Sequence, residues 1–215
     1  MRFSLCMVTQ DRPQMILEAT AAILAQSCPD WELIIKDGGK RAVGGALPKD
    51  ARIFYEYAPD SSYAVNLNRA FAEASGEILN FQGDDDWMRP DALERVSASI
   101  GESMWLYGQI RFSESGHVAG GPWDYEAQQK VNRVPSPATF WRREAMKHAG
   151  LFDVNLLAAD WDYTLRLGAR WTPVFVPHVL VDYRQHAGQA TCERAAEIAL
   201  DGAEIRCRAA TGYYA

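Results

Sequence analysis

Apolar positions in this chain follow two rhythms, and the points where one gives way to the other mark the elements. The stretch "FSLCMV" (3–8) is a nearly unbroken apolar run ended by the polar "TQDRP", which predicts a buried strand. "PQMILEATAAILAQS" (13–27) spaces its apolar residues as a helix does, and Pro13 suits the first helical turn. "WELIIKDGG" (31–39) and "RIFYEYAP" (52–59) read as strands. "SSYAVNLNRAFAEASG" (61–76) reads as a helix with a serine N-cap and Gly76 as C-cap. "EILNFQ" (77–82) is a fourth strand, and "RPDALERVSASI" (89–100) restarts a helix.

Strands and helices therefore alternate through the first hundred residues. That order predicts an α/β fold with a mostly parallel sheet covered by helices on both faces. Ligands of such sheets bind beyond the carboxyl ends of the strands. Three polar clusters fall there: Thr9 to Arg12, Asp37 to Gly39, and Asp84 to Asp86. They are distant in sequence and are expected to meet in space.

The second half is less regular. "SMWLYGQIRFSESGHV" (103–118) reads as a hairpin turning at "SESG". "GGPWDYEAQQKVNRVPSP" (120–137) has turn residues and little periodicity, and reads as a mobile loop. "ATFWRREAMKHAG" runs from a strand into a short helix, and "DWDYTLRLGAR" (160–170) is helical. "PVFVPHVLVDYRQH" (173–186) is strand-like, and residues 191–214 form a C-terminal helix. A single domain over 1–215 is expected, divided into 1–100, a smaller hairpin and loop region over 101–190, and the terminal helix.

Charge narrows the partners. The formal net charge is −6 and lysines and arginines are not clustered, which argues against a nucleic-acid binder. Cys6, Cys28, Cys192 and Cys207 include no C-x-x-C pair, so neither a zinc site nor a disulfide framework is indicated. No apolar run approaches the ~18 residues of a membrane span, and the N-terminus does not read as a signal peptide. A cytosolic protein is expected, with peripheral contact at the inner membrane face, a partner protein or a homodimer left open.

The stretch "NFQGDDDWMRPD" (80–91) poses the chemical question. Three adjacent carboxylates repel one another unless a cation offsets them. Their hard oxygens suit Mg²⁺ or Mn²⁺, which bind through one or two carboxylates together with substrate phosphates. A solvated acidic turn before a helix is the plainer alternative. An EF-hand does not fit, because Met88 occupies the next alternate position.

These segments resemble family 2 nucleotide-sugar glycosyltransferases of GT-A fold. "FSLCMVTQDRP…ILAQSCPDWELIIKDGG" is similar to that family's opening strand, T-Y-N-R-like turn, and E-L-I-I run before D-D-G-S. "LNRAFAEASGEILNFQGDDDWMRPDAL" resembles its N-x-G…A-x-G-E…D-x-D-D…P-x-x-L segment. "WLYGQI", "SPATFWRREAMKHAGLFD", "AADWDYTLRL" and "VDYRQH" resemble its later elements, in order, so that the likeness runs from about residue 3 to 190.

The resemblance implies an inverting, metal-dependent transfer from a nucleotide-diphosphate sugar, expected to be a UDP-sugar. The acceptor would be a hydroxyl of a glycan or lipid-linked glycan in surface-polysaccharide assembly. It assigns the nucleotide to Thr9, Arg12, Asp37, Asn68, Asp84 and Arg184. It assigns the metal, Mn²⁺ or Mg²⁺, to Asp85, Asp86 and His186. Asp160 is the implied general base. The sequence departs from the pattern at Gly38, Gly83 and Ala159, where members carry acids. Asp162 is expected to be structural, and His117, His148 and His178 structural or exposed. Most tryptophans read as core, with Trp123 and Trp161 as candidate acceptor contacts. Two other functions stay open at this point: a binding module without turnover, and a sugar-nucleotide pyrophosphorylase, although "TQDRPQ" lacks the glycines of that enzyme's loop.

Overall fold

The computed structural model describes residues 1–59 and 61–214. The strands are β1 (Phe3–Thr9), β2 (Trp31–Asp37), β3 (Ile53–Tyr57), β4 (Ile78–Gly83), β5 (Trp87–Met88), β6 (Trp105–Phe112), β7 (Val118–Ala119), β8 (Thr139–Arg142) and β9 (Val174–Tyr183). The helices are α1 (Pro13–Leu24), α2 (Tyr63–Glu73), α3 (Ala92–Ser99), α4 (Tyr125–Lys130), α5 (Arg143–Ala149), α6 (Ala159–Arg170), α7 (Ala190–Glu193) and α8 (Ala195–Ala210).

One curled sheet runs in the order β3-β2-β1-β4-β8-β6-β9-β5, with β7 paired to β6. The first half contributes the parallel block β3-β2-β1-β4. The second half joins it through β8, antiparallel to both β4 and β6. Every residue of β1 and β2 is buried, which explains their continuous apolar runs. Successive side chains point to opposite faces. Phe3, Leu5 and Met7 pack with Ile16 and Ile23 of α1 and Leu93 of α3, whereas Cys6 and Val8 pack with Leu67 and Phe71 of α2.

Register brings the three polar clusters together. Thr9 pairs with Asp37 across β1 and β2, and Val8 pairs with Gly83 across β1 and β4. The ends of three parallel strands thus open on one edge, as the alternation predicted.

Several local expectations change. Gly76 does not cap α2, which ends at Ala74. Its Cα instead lies against the chain of β1, where an added Cβ would sit 2.7 Å from the carbonyl carbon of Phe3. The 120–137 segment contains the helix α4, capped by the Asp124 carboxylate accepting from Ala127 N at 2.9 Å. The C-terminal helix is broken at Arg194. A two-residue strand, β5, follows the aspartates, and the helix after it starts only at Ala92. Within the described residues no helix is long and apolar enough to cross a membrane.

Candidate active site

The aspartates follow β4 directly, and each has a different environment. Asp84 is buried and accepts from Thr9 Oγ1 at 2.7 Å and Arg12 Nη1 at 3.0 Å. Asp85 accepts from the same Arg12 nitrogen at 2.9 Å, and its Oδ2 lies 3.0 Å from His186 Nε2. Asp86 is buried and accepts from the backbone N–H of Arg184 at 3.0 Å. Arg184 also donates from Nε to the Asp85 carbonyl at 2.8 Å. Its guanidinium sits 3.9 Å from the centre of the Trp87 ring, a cation–π contact.

The antiparallel bridge of β5 to β9 builds this arrangement. Trp87 pairs with Asp182 and Met88 with Val181. The residues that follow β9 are therefore laid directly against the acid turn. Protein cations answer part of the repulsion, but burial still dominates. It pushes the Asp84 carboxyl up to about 6, helped by Asp85 and opposed by Arg12 and Thr9. Burial and the neighbouring Asp85 push Asp86 well up too, opposed by the Arg184 backbone N–H.

Two carboxylate oxygens, Asp85 Oδ1 and Asp86 Oδ2, have no hydrogen-bond partner among the described residues. Both converge on the Cα of Gly83, where an added Cβ would lie 2.9 Å from the first and 2.8 Å from the second. An acid at position 83 would be crowded here, and glycine leaves space between the oxygens. Among the described residues no three His, Cys, Asp or Glu side chains already form a closed ligand set. Two hard oxygens with an imidazole nearby nevertheless fit a divalent cation that draws its other ligands from phosphate and water.

Asp160 is the second residue of α6, where the helix N-terminus favours a carboxylate. Its Oδ2 accepts from Asn132 Nδ2 at 3.2 Å and from the Ser136 hydroxyl. It lines a cleft with Phe81 of β4, Ser136, Thr139 and Tyr163. Tyr183, the last residue of β9, feels the charge of both acid sites. Burial pushes its phenol up to about 12, with Asp86, Asp85 and Asp160 each adding to the rise.

Other implied site residues are spent elsewhere. Asp37 is fully buried and accepts from Gly39 N (2.9 Å), Val43 N (2.9 Å) and the Tyr55 hydroxyl (2.6 Å). In this state it braces the 38–43 loop. Asn68 exchanges two bonds with the backbone of Phe152, at 2.9 and 3.0 Å, which tie α2 to the loop before α6. The two tryptophans expected as acceptor contacts differ in setting, Trp161 being buried and Trp123 half-buried. Trp161 is 5% exposed, and its indole donates to the Gln128 carbonyl at 2.7 Å. Trp123 packs edge-on to Trp105, 5.0 Å between ring centres, and fills the space over Gly168. Asp162 is buried among Arg166, Arg208 and Tyr214, a structural place. His117, His148 and His178 are exposed.

Sequence reasoning missed several partners. Gln189 donates to the Arg184 carbonyl at 2.6 Å and accepts from His186 N at 3.1 Å, which folds the 184–189 turn over the aspartates. The Gly188 carbonyl accepts from Arg12, and Glu18 of α1 from Arg184. None of these follows a periodic pattern. Only the run of polar residues after β9 hinted at them.

The likeness to known proteins agrees with this geometry. The family model described as glycosyl transferase family 2 matches residues 4–145. A glycosyltransferase of PGL/p-HBAD biosynthesis from Mycobacterium bovis is 28% identical over 175 residues, covering 76% of this chain and 68% of its own. An uncharacterized glycosyltransferase of Bacillus subtilis, YwdF, is 23% identical over 85% of this chain and 74% of its own. Among solved structures, S. aureus TarS 1-349 in complex with UDP-GlcNAc superposes with a TM-score of 0.73 at 17% identity, over 90% of this chain and 61% of that one. The mannosyltransferase PcManGT of Pyrobaculum calidifontis, in complex with GDP-Man and Mn²⁺, gives 0.66 at 17% identity, over 85% of this chain and 56% of that one. This chain therefore spans about three fifths of those two structures. With its curled, helix-covered sheet and an acid turn at the strand ends, it belongs to glycosyl transferase family 2 and is a glycosyltransferase of GT-A fold.

Proposed function

We infer that the chain catalyses an inverting, metal-dependent transfer from a nucleotide-diphosphate sugar to a hydroxyl of a glycan or glycolipid in surface-polysaccharide assembly. One observation carries the reading: the free oxygens of Asp85 and Asp86 meet beside Gly83 at the end of β4, and Asp160 shares a cleft with Phe81 of the same strand. The complexes of TarS with UDP-GlcNAc and of PcManGT with GDP-Man and Mn²⁺ support the donor class and a divalent cation. A uridine donor is the first candidate.

Asp85, Asp86 and His186 would hold the cation. When bound, it supplies Lewis-acid stabilisation of charge on the leaving diphosphate. Arg12 and Arg184 place two further positive charges at the same turn. Thr9 holds Asp84, and through it the orientation of Arg12. At the other acid, the acceptor oxygen bonds to the anomeric carbon as the bond from that carbon to the diphosphate breaks. The hydroxyl proton passes to the Asp160 carboxylate, which Asn132 and Ser136 orient. Direct displacement inverts the anomeric centre.

The test is thermal stability against nucleoside diphosphates and nucleotide sugars, with and without Mn²⁺, followed by turnover of any donor that binds. Ligands that bind only the folded state raise its stability. A shift that needs one nucleotide and the metal, and vanishes in Asp85→Ala, supports the reading and identifies the base. No shift with any nucleotide sinks it. Binding without transfer to any acceptor, or hydrolysis, would favour a module without turnover.

A further inference from the structure

We propose that Asp201, on the C-terminal helix α8, is a positioning residue that sets the turn carrying Asp160. This rests on the reading of Asp160 as general base. The helix α6 opens without a cap of its own, since its N-cap residue is Ala158 and no side chain there accepts a bond. Backbone N–H groups at a helix start need partners, and a capping oxygen ordinarily comes from the residue at the cap itself. Here the two amides just before the helix, those of Leu157 and of the N-cap residue Ala158, are held instead by a carboxylate 43 residues beyond Ala158. Asp201 Oδ2 accepts from Ala158 N at 3.1 Å and from Leu157 N as well. Neither N–H has another partner among the described residues.

The rest of α8 and the residues that follow it are fixed to α6 and the loop before it. Tyr214 donates its hydroxyl to Asp162 Oδ1 at 2.8 Å. Arg208 donates to Asp162 at 3.2 Å and to Asp153 at 3.0 Å. Ile205 is fully buried in the core that includes Trp161, and Gly202 lies against the Trp161 ring. Asp160 is thus held from two sides. Asn132 and Ser136 grip its carboxylate, while α8 fixes the backbone two residues before it. The nucleotide end, at Thr9 and Asp84 to Asp86, receives no bond from Asp201. The family model ends at residue 145, before both α6 and α8.

Displacement by about 1 Å can cost a reaction on the order of a hundredfold. A loose α6 turn should therefore slow transfer and leave donor binding alone. The experiment compares Asp201→Ala with Asp201→Asn in steady-state transfer, and follows donor binding by the nucleotide-induced melting shift. Alanine keeps α8 helical and removes both bonds, whereas the asparagine oxygen can still accept them. Asp201→Ala should lower kcat by about ten- to a hundredfold with the donor KM and the melting shift preserved. Asp201→Asn should recover most of that loss. Unchanged kcat in Asp201→Ala overturns the proposal, as does a parallel loss of donor binding or an equal loss in Asp201→Asn. Asp160→Asn is assayed alongside. Full turnover in that variant removes the base, and the proposal with it. If Asp160→Asn is inactive and Asp201→Ala is not impaired, the base stands and only the positioning role fails.

Discussion

His186 Nε2 lies 3.0 Å from Asp85 Oδ2, across a sequence separation of 101 residues. The outermost aspartate of the acid turn is thereby tied to the first turn after β9. If this pair helps to bind metal, Asp85→Ala should abolish the Mn²⁺-dependent part of nucleotide stabilisation, and His186→Ala should reduce it. At a hundred times Kd that stabilisation is about 2.7 kcal/mol, enough to read by melting. A full metal-dependent shift in His186→Ala would leave the imidazole as a neighbour of Asp85 and no more.

Asp160→Asn should lower kcat by about 10²- to 10⁴-fold, the span typical of a lost general base. Donor affinity should be retained, because among the described residues the side chain bonds only Asn132 and Ser136. Single-turnover transfer and nucleotide titration, run on the same preparation, separate the two. Joint loss of both would move Asp160 from the chemistry to the framework.

Gly83→Ala tests the gap between the aspartates. The new Cβ would lie 2.8 Å from Asp86 Oδ2 and 2.9 Å from Asp85 Oδ1. Contacts that close force the carboxylates apart. Metal-dependent nucleotide binding should weaken markedly, which calorimetric titration with Mn²⁺ would measure. Affinity equal to that of the parent protein would mean that these two oxygens do not act together.

Tyr55 gives a pH prediction. Its phenol is pushed up to about 12, by burial first and then by its bond to Asp37. A raised folded-state value means that its stabilising contribution is complete below about pH 10 and lost as pH climbs towards the folded value. Tyr55→Phe should lower stability at neutral pH by about 0.5–1.5 kcal/mol, one hydrogen bond, and flatten the alkaline decline. Denaturant unfolding at several pH values up to the alkaline range would show it. A parallel decline in parent and variant would refute the assignment.

The regular half of the fold was legible because its signals are local. Buried strands show as apolar runs and surface helices as helical spacing, so β1, α1, β2, β3, α2 and β4 were readable within a few residues. Gly76 was misread because a cap and a close approach both call for glycine, and only the neighbouring strand distinguishes them. In the site, the acid turn was visible as an unusual charge density, and Asp160 through resemblance. The full engagement of Asp37 with Tyr55 and the 38–43 loop was not visible, since it depends on how that loop folds back and on a side chain from β3. How Trp123 and Trp161 pack was not visible either, since neither the gap over Gly168 nor the indole's bond to the Gln128 carbonyl leaves a mark in the sequence. The bonds to Asp201 were hidden likewise, since contacts made from a distant helix leave no motif.

The short bridge between β5 and β9 also bears on the order of assembly. Until Trp87 meets Asp182, the acid turn has Arg12 from the first half of the chain but neither Arg184 nor His186. Pairings of such long sequence separation form late, because the loop between them must close first. A chain caught before that step would carry three adjacent carboxylates with much of their repulsion unanswered. Competence to capture a donor would therefore arrive with the final strand, and the pocket would serve as a check that folding is complete.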